Sequence, residues 1–114
     1  MMKAQIDDEY LLELAGEDKE SILGIIDDFA IMSADSLNHL QAKVVLPELE
    51  LDALAQTLHQ LKGSSSSLGM VSLARMFAEM EKWGQEEWKN TGYHHTELIQ
   101  HLENSVLLCK EALV

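Results

Sequence analysis

His59 heads a run, LHQLKGSSSSLG, in which a lysine follows three residues on and a glycine four residues on. Neutral imidazole is already nucleophilic near pH 7 and needs no general base, so a ring nitrogen can take up a phosphoryl group and give it back. Such a transfer needs a cation to balance the arriving charge and room for the donor to close over the ring. Lys62 answers the first need with an ammonium on a flexible stem. Gly63 and the serines Ser64 to Ser67 answer the second, because they have little or no side chain.

A glycine followed by four serines also has the composition of a linker. The leucines argue otherwise. Leu51, Leu54, Leu58, Leu61, Ser65 and Leu68 keep a heptad-like spacing straight through the serines, which predicts one continuous helix past Gly63. At about 100° per residue, with Leu58 at zero, the apolar stripe centres near −30°; His59 falls at about 100°, Gly63 at about 140°, Ser66 at about 80° and Lys62 at about 40°. His59 therefore points away from the core over a surface that Gly63 and Ser66 leave low, with Asp52 and Ala55 in the turns before it. Ser65 falls on the core side, where its hydroxyl can bond back to the Leu61 carbonyl and let helices approach closely. Glycine inside a helix costs about 1 kcal/mol relative to alanine, so its place one turn from an exposed histidine argues for clearance.

The elements that must hold this surface are helical. Asp7 can cap a short helix carrying Tyr10, Leu11 and Leu14, which Gly16 can end. Asp18 can cap a longer one whose apolar positions are Ile22, Ile25, Ile26, Phe29, Ser33, Leu37 and Leu40, unbroken until Val44 to Pro47. The histidine helix starts at Pro47, with Glu48, Glu50 and Asp52 suited to its positive end. Gly69 is a left-handed terminator, after which Met70, Leu73, Phe77, Met80 and Gly84 mark a fourth helix. Lys89 to Tyr93 read as a loop, and Leu98, Leu102, Val106, Cys109 and Leu113 as a fifth helix. No stretch alternates with period two, so the expected fold is all-α: an antiparallel four-helix bundle with a short additional N-terminal helix.

Composition limits the partners. The 114 residues suit a single domain, 1–114, with its core at about 7–113. Twenty acids against eight bases give a formal charge of −12, which disfavours nucleic acid and anionic membranes, since both need clustered cations. No apolar run approaches a membrane span, and no secretory leader opens the chain, so a cytoplasmic location is expected. The single cysteine, Cys109, excludes an internal disulfide and sits among leucines as a small buried hydrophobe.

The remaining chemistry-bearing residues have plainer explanations. Glu97 and His101 have the i,i+4 spacing of metal ligands, and His94 and His95 lie nearby, but two ligands at that spacing arise readily by chance and no metal site is expected. Met70, Met76 and Met80 read as core filling, and Trp83 and Trp88 as packing against the following loop. The acid surplus reads as a solvated face.

His59, Lys62, Gly63 and Ser64 in HQLKGSSSSLG, with Leu73 and Glu81 in MVSLARMFAEMEKWG, resemble the signature of histidine-containing phosphotransfer domains. The resemblance extends over about residues 7 to 113 and includes the acidic helical lead-in with Phe29 and the Leu68-Gly69 turn. It implies that His59 accepts a phosphoryl group from a receiver-domain aspartate and passes it to another receiver, that Lys62 helps hold that group, and that Gly63 lets the receiver approach. Ala55, Gln56, Gln60, Gly63, Ser66 and Ser67 are then the expected partner-facing residues.

Response-regulator receivers, a hybrid sensor kinase or both are the implied partners. No cofactor is implied beyond a magnesium ion on the receiver, and no kinase activity, in keeping with the lack of a Gly-rich phosphate loop. A monomer is expected, and the starting methionine and completed last helix permit a free-standing protein. Gln60 stands where threonine is frequent, Ser66 and Ser67 where small residues such as alanine are common, and Met80 where leucine is. A helical scaffold that binds a receiver without being phosphorylated is the alternative.

Overall fold

The computed structural model describes residues 3–42, 48–82 and 95–114, with side chains described outside 40–42 and 48–54. All its regular elements are helices: α1 (Asp8–Ala15), α2 (Lys19–Ala42), α3 (Glu48–Ser67), α4 (Val71–Lys82) and α5 (His95–Leu113). The Val44 to Pro47 break, Gly84, Trp83, Trp88 and the Lys89 to Tyr93 loop lie outside the described residues, as does His94.

Local chemistry sets the helix ends. Asp7 accepts a hydrogen bond from the Tyr10 N–H at 3.1 Å and so caps α1, while Gly16 closes it at φ 54° with its N–H on the Leu12 carbonyl. Before α2, the Asp18 carboxylate accepts from the Ser21 hydroxyl at 2.7 Å and from the Ser21 N–H at 3.2 Å. Those two bonds hold the Asp18 carboxyl below its ordinary range.

Helix α3 runs through the serines to Ser67. Its end is a Schellman turn: the Met70 N–H bonds the Ser65 carbonyl at 2.9 Å and the Gly69 N–H bonds the Ser66 carbonyl at 3.0 Å, with Gly69 at φ 75°. A side chain at Gly69 would also bring its Cβ within 3.0 Å of the Asp7 carbonyl oxygen. Glycine is required there on both counts.

The turn folds α3 back against α4, while α2 packs on α5 and on α3. The short helix α1 lies across α5 and α2. Ile26, Phe29, Leu37, Leu58, Leu61, Met70, Leu73, Phe77, Met80, Leu98, Leu102, Cys109 and Leu113 fill the core between them. Burial pushes the Cys109 thiol up to about 11. Ser33, Ser65 and Ser105 are buried too, and small residues at such positions let helices approach closely.

Three positions in the apolar patterns turn out differently. In α1 it is Leu11 and Ala15 that face the core, with Tyr10 and Leu14 exposed. A two-turn helix lying across a bundle has too narrow a contact for three apolar positions. In α2, Ile25 is half exposed, because α2 presents one side to α5 and another to α3 and Ile25 falls at the edge.

The N-terminal segment is stitched to the α3–α4 turn. The Asp7 N–H bonds the Gly69 carbonyl at 2.8 Å, the Gln5 N–H bonds the Ser72 hydroxyl at 2.7 Å, and the Ser72 N–H bonds the Gln5 carbonyl at 3.2 Å. Ser72 Oγ also lies 2.7 Å from Nε2 of the buried His101. Tyr10 adds a bond from its hydroxyl to the Ser67 carbonyl at 3.0 Å. The end of the histidine helix is thereby tied down from outside the hairpin.

Candidate functional site

His59 leaves the middle of α3 on the side away from the core, and its side chain is 66% exposed. Beyond Gly63, its chain neighbours and the helix's own nearby backbone, no heavy atom lies within 4 Å of the place where a Cβ at Gly63 would stand, so the helix surface there is open. Ser65 turns its hydroxyl back to the Leu61 carbonyl at 2.7 Å, and Ser67 does the same to the Gly63 carbonyl at 2.9 Å. Hydroxyls engaged with their own helix do not project as obstacles.

Glu81, on α4, organises the ring. Its Oε1 lies 2.9 Å from His59 Nδ1 and its Oε2 lies 3.1 Å from Lys62 Nζ, so one carboxylate spans both basic groups. The Lys62 hydrogen bond, reinforced by the one from His59, holds the Glu81 carboxyl below the ordinary carboxylate range against a smaller cost of desolvation. At neutral pH Glu81 is therefore ionised and can only accept. Nδ1 must then carry the hydrogen, which in a neutral imidazole leaves the lone pair on Nε2. Nε2 has no partner among the described residues. The result is a nucleophilic nitrogen without a partner among the described residues, on a largely exposed ring whose other nitrogen is held.

On its other side the ring borders a shallow groove of about 620 Å³ between α2 and α3. Ile25, Asp28, Phe29 and Met32 line it from α2; His59, Gln60, Gly63, Ser64 and Ser67 line it from α3, and Leu68 from the turn that follows. Its walls are largely apolar. Ile25 and Met32 are about half exposed along it, at 50% and 51%.

The family model of the Hpt domain matches residues 24–106, well over half of the chain. The chain belongs to the Hpt family. Histidine phosphotransfer in phosphorelays is accordingly its role, and receiver domains are the class of partner. No curated protein and no solved structure that was compared matches it.

Within this Hpt domain the structure sorts the expected site residues. Gln60, Gly63 and Ser67 border the groove together with His59. Ser66 is exposed but outside the groove lining, and Ala55 and Gln56 are exposed a turn earlier on α3. Lys62 is partly buried, with its ammonium on Glu81. Glu97 is exposed while His101 is buried against Ser72, so the i,i+4 pair does not converge. Among the described residues no three His, Cys, Asp or Glu side chains are grouped to hold a metal, and no helix is long and apolar enough to cross a membrane.

Two contributions are not evident from the spacing of residues. The bridging role of Glu81 depends on hairpin register, for which the turn at Gly69 is the available signal. His59 and Glu81 lie ten and twelve residues on either side of it, nearly equidistant along two paired helices. The α2 wall depends on how α2 meets α3, and the only sequence signal is the surplus of apolar residues in α2 beyond one stripe.

Proposed function

We propose that the protein is a phosphorelay intermediate: Nε2 of His59 takes a phosphoryl group from the aspartyl phosphate of one receiver domain and delivers it to the aspartate of another. The observation that carries this reading is the exposed imidazole whose Nδ1 lies 2.9 Å from the Glu81 carboxylate and whose Nε2 has no partner among the described residues, on a helix that Gly63 leaves open.

In the forward step the Nε2 lone pair attacks phosphorus, the bond from phosphorus to the receiver's aspartyl oxygen breaks, and that aspartate leaves as a carboxylate. The ring becomes positively charged as the N–P bond forms. Glu81, 2.9 Å from Nδ1, stabilises that charge and keeps the Nδ1 proton in place, so no proton has to move. Lys62, one turn on from His59 and sharing the Glu81 carboxylate with it, is the cation that balances the charge of the arriving phosphoryl oxygens. Delivery to the second receiver reverses these changes.

This scheme requires no nucleotide site on the chain, and the magnesium ion belongs to the receiver. Gly63 and the low serine face let the receiver close over the ring, and the α2–α3 groove is the surface against which it docks. We place this activity in the cytoplasm and assign it to a monomer.

Label transfer tests the reading. Incubated with a receiver carrying labelled aspartyl phosphate, the wild type gains acid-labile label and His59→Gln gains none. Label that survives the substitution would exclude His59 as the acceptor. A scaffold that binds the receiver without accepting phosphoryl predicts no label on either protein.

A further inference from the structure

Helix α2 contains two adjacent acids with opposite surroundings. Asp27 faces α5, where its Oδ1 lies 2.5 Å from Lys110 Nζ. Asp28 faces the groove beside His59, and no side chain among the described residues pairs with it. Its neighbours one turn away on the same side are Ile25 and Met32, both about half exposed. A single unanswered carboxylate thus sits within an apolar docking wall.

In the free domain water solvates this carboxylate at no great cost. A partner that covers Ile25 and Met32 must remove that water. Unless the partner presents a cation there, the charge is left desolvated and unpaired, which penalises neutral and acidic partners alike. We infer that Asp28 selects among receiver domains, favouring those whose docking face carries a Lys or Arg among apolar side chains. This rests on the phosphorelay reading and adds to it the chemistry of the preferred partner. The charge of −12 on the whole chain acts in the same direction at long range, but it has no fixed position and cannot tell one face of a receiver from another.

The test uses a panel of purified receiver domains whose docking faces range from basic to acidic, each phosphorylated on its aspartate and mixed with the full chain. Wild type takes label fastest from basic-faced receivers, and the advantage shrinks as salt rises. Asp28→Lys slows transfer from those receivers by about tenfold and moves the preference toward acidic faces, whereas Asp28→Asn flattens it. Glu111→Lys makes the same change in net charge on an exposed part of α5 and leaves the order of preference as in wild type.

An unchanged order in Asp28→Lys, or an equal shift in Glu111→Lys, overturns the assignment of Asp28 while label still arrives on His59. Absence of label from every receiver removes the phosphorelay reading and this inference with it. Because the Asp28 side chain is exposed and unpaired, both substitutions leave the fold intact, which thermal melts confirm.

Discussion

At the scale of single residues, the site is three charged or chargeable side chains with distinct duties. In the proposed scheme His59 provides the nucleophile, Glu81 fixes which nitrogen that is, and Lys62 holds the Glu81 carboxyl below its ordinary range. Glu81→Ala removes the acceptor for the Nδ1 hydrogen. Nitrogen NMR of the ring should then show the neutral tautomer moving from Nδ1–H toward Nε2–H, and receiver-dependent labelling should slow roughly ten- to hundredfold, the worth of one charge-assisted hydrogen bond. Since the folded Glu81 carboxyl titrates below its unfolded range, its stabilising contribution is present above the unfolded value and lost as pH falls through the folded one. The wild type should accordingly exceed Glu81→Gln in urea midpoint at neutral pH, by a small margin given the exposure of the pair, and the gap should close in strong acid. A gap that persists in acid would mean that Glu81 acts through packing.

The placement of His59, Lys62 and Gly63 off the buried stripe of α3 was legible from residue type and helical angle, because all three lie on one helix whose register needs no tertiary information. The carboxylate that bridges two of them was not, although Glu81 is visible in the family signature. Its position across the hairpin depends on how tightly the turn at Gly69 closes. That closure depends on φ 75° and on the approach of Asp7, neither of which is a spacing.

At the scale of elements, α3 combines a buried leucine stripe with a cleared outer strip, and its two glycines serve opposite ends. Gly63 has open space where a Cβ would stand, so Gly63→Ala should raise stability by about 0.4 to 1 kcal/mol, read from a denaturant midpoint. Gly63→Leu should fold as well but slow labelling by receivers, roughly a hundredfold if docking is displaced by about an ångström. Labelling by phosphoramidate, a donor too small to need the clearance, should be unchanged. Equal slowing with both donors would contradict the clearance role. Gly69 tolerates no such change: the left-handed backbone costs any other residue about 1 to 2 kcal/mol, and the Cβ contact with Asp7 adds to it. Gly69→Ala should lower the melting temperature by several degrees.

The continuity of α3 through four serines could be read from the leucines, and the helical class from the lack of alternation. The direction of α2 could not. Its apolar residues exceed what one face can bury, and only packing against both α5 and α3 decides that Ile26 and Phe29 go inward while Ile25 and Met32 remain at the groove.

For the molecule as a whole, the bundle is the rigid mount that keeps a histidine on α3 and a carboxylate on α4 in hydrogen-bonding register. Phe77 lies one helical turn before Glu81 on α4 and is fully buried. Phe77→Ala should cost about 3 to 5 kcal/mol, a large share of the roughly 5 to 15 kcal/mol that holds a domain together, and chemical denaturation measures it. The same packing lets an acidic chain house the proposed phosphoryl site. Among the described residues, the acid bonded to His59 is already occupied by Lys62.

The most direct measurement places phosphorus on an atom. With uniformly nitrogen-15-labelled protein that has received phosphoryl from a receiver domain, phosphorus–nitrogen coupling should connect the phosphorus to Nε2 of His59, while Nδ1 retains its hydrogen. Coupling to Nδ1, or phosphorus found on any other residue, would contradict the account.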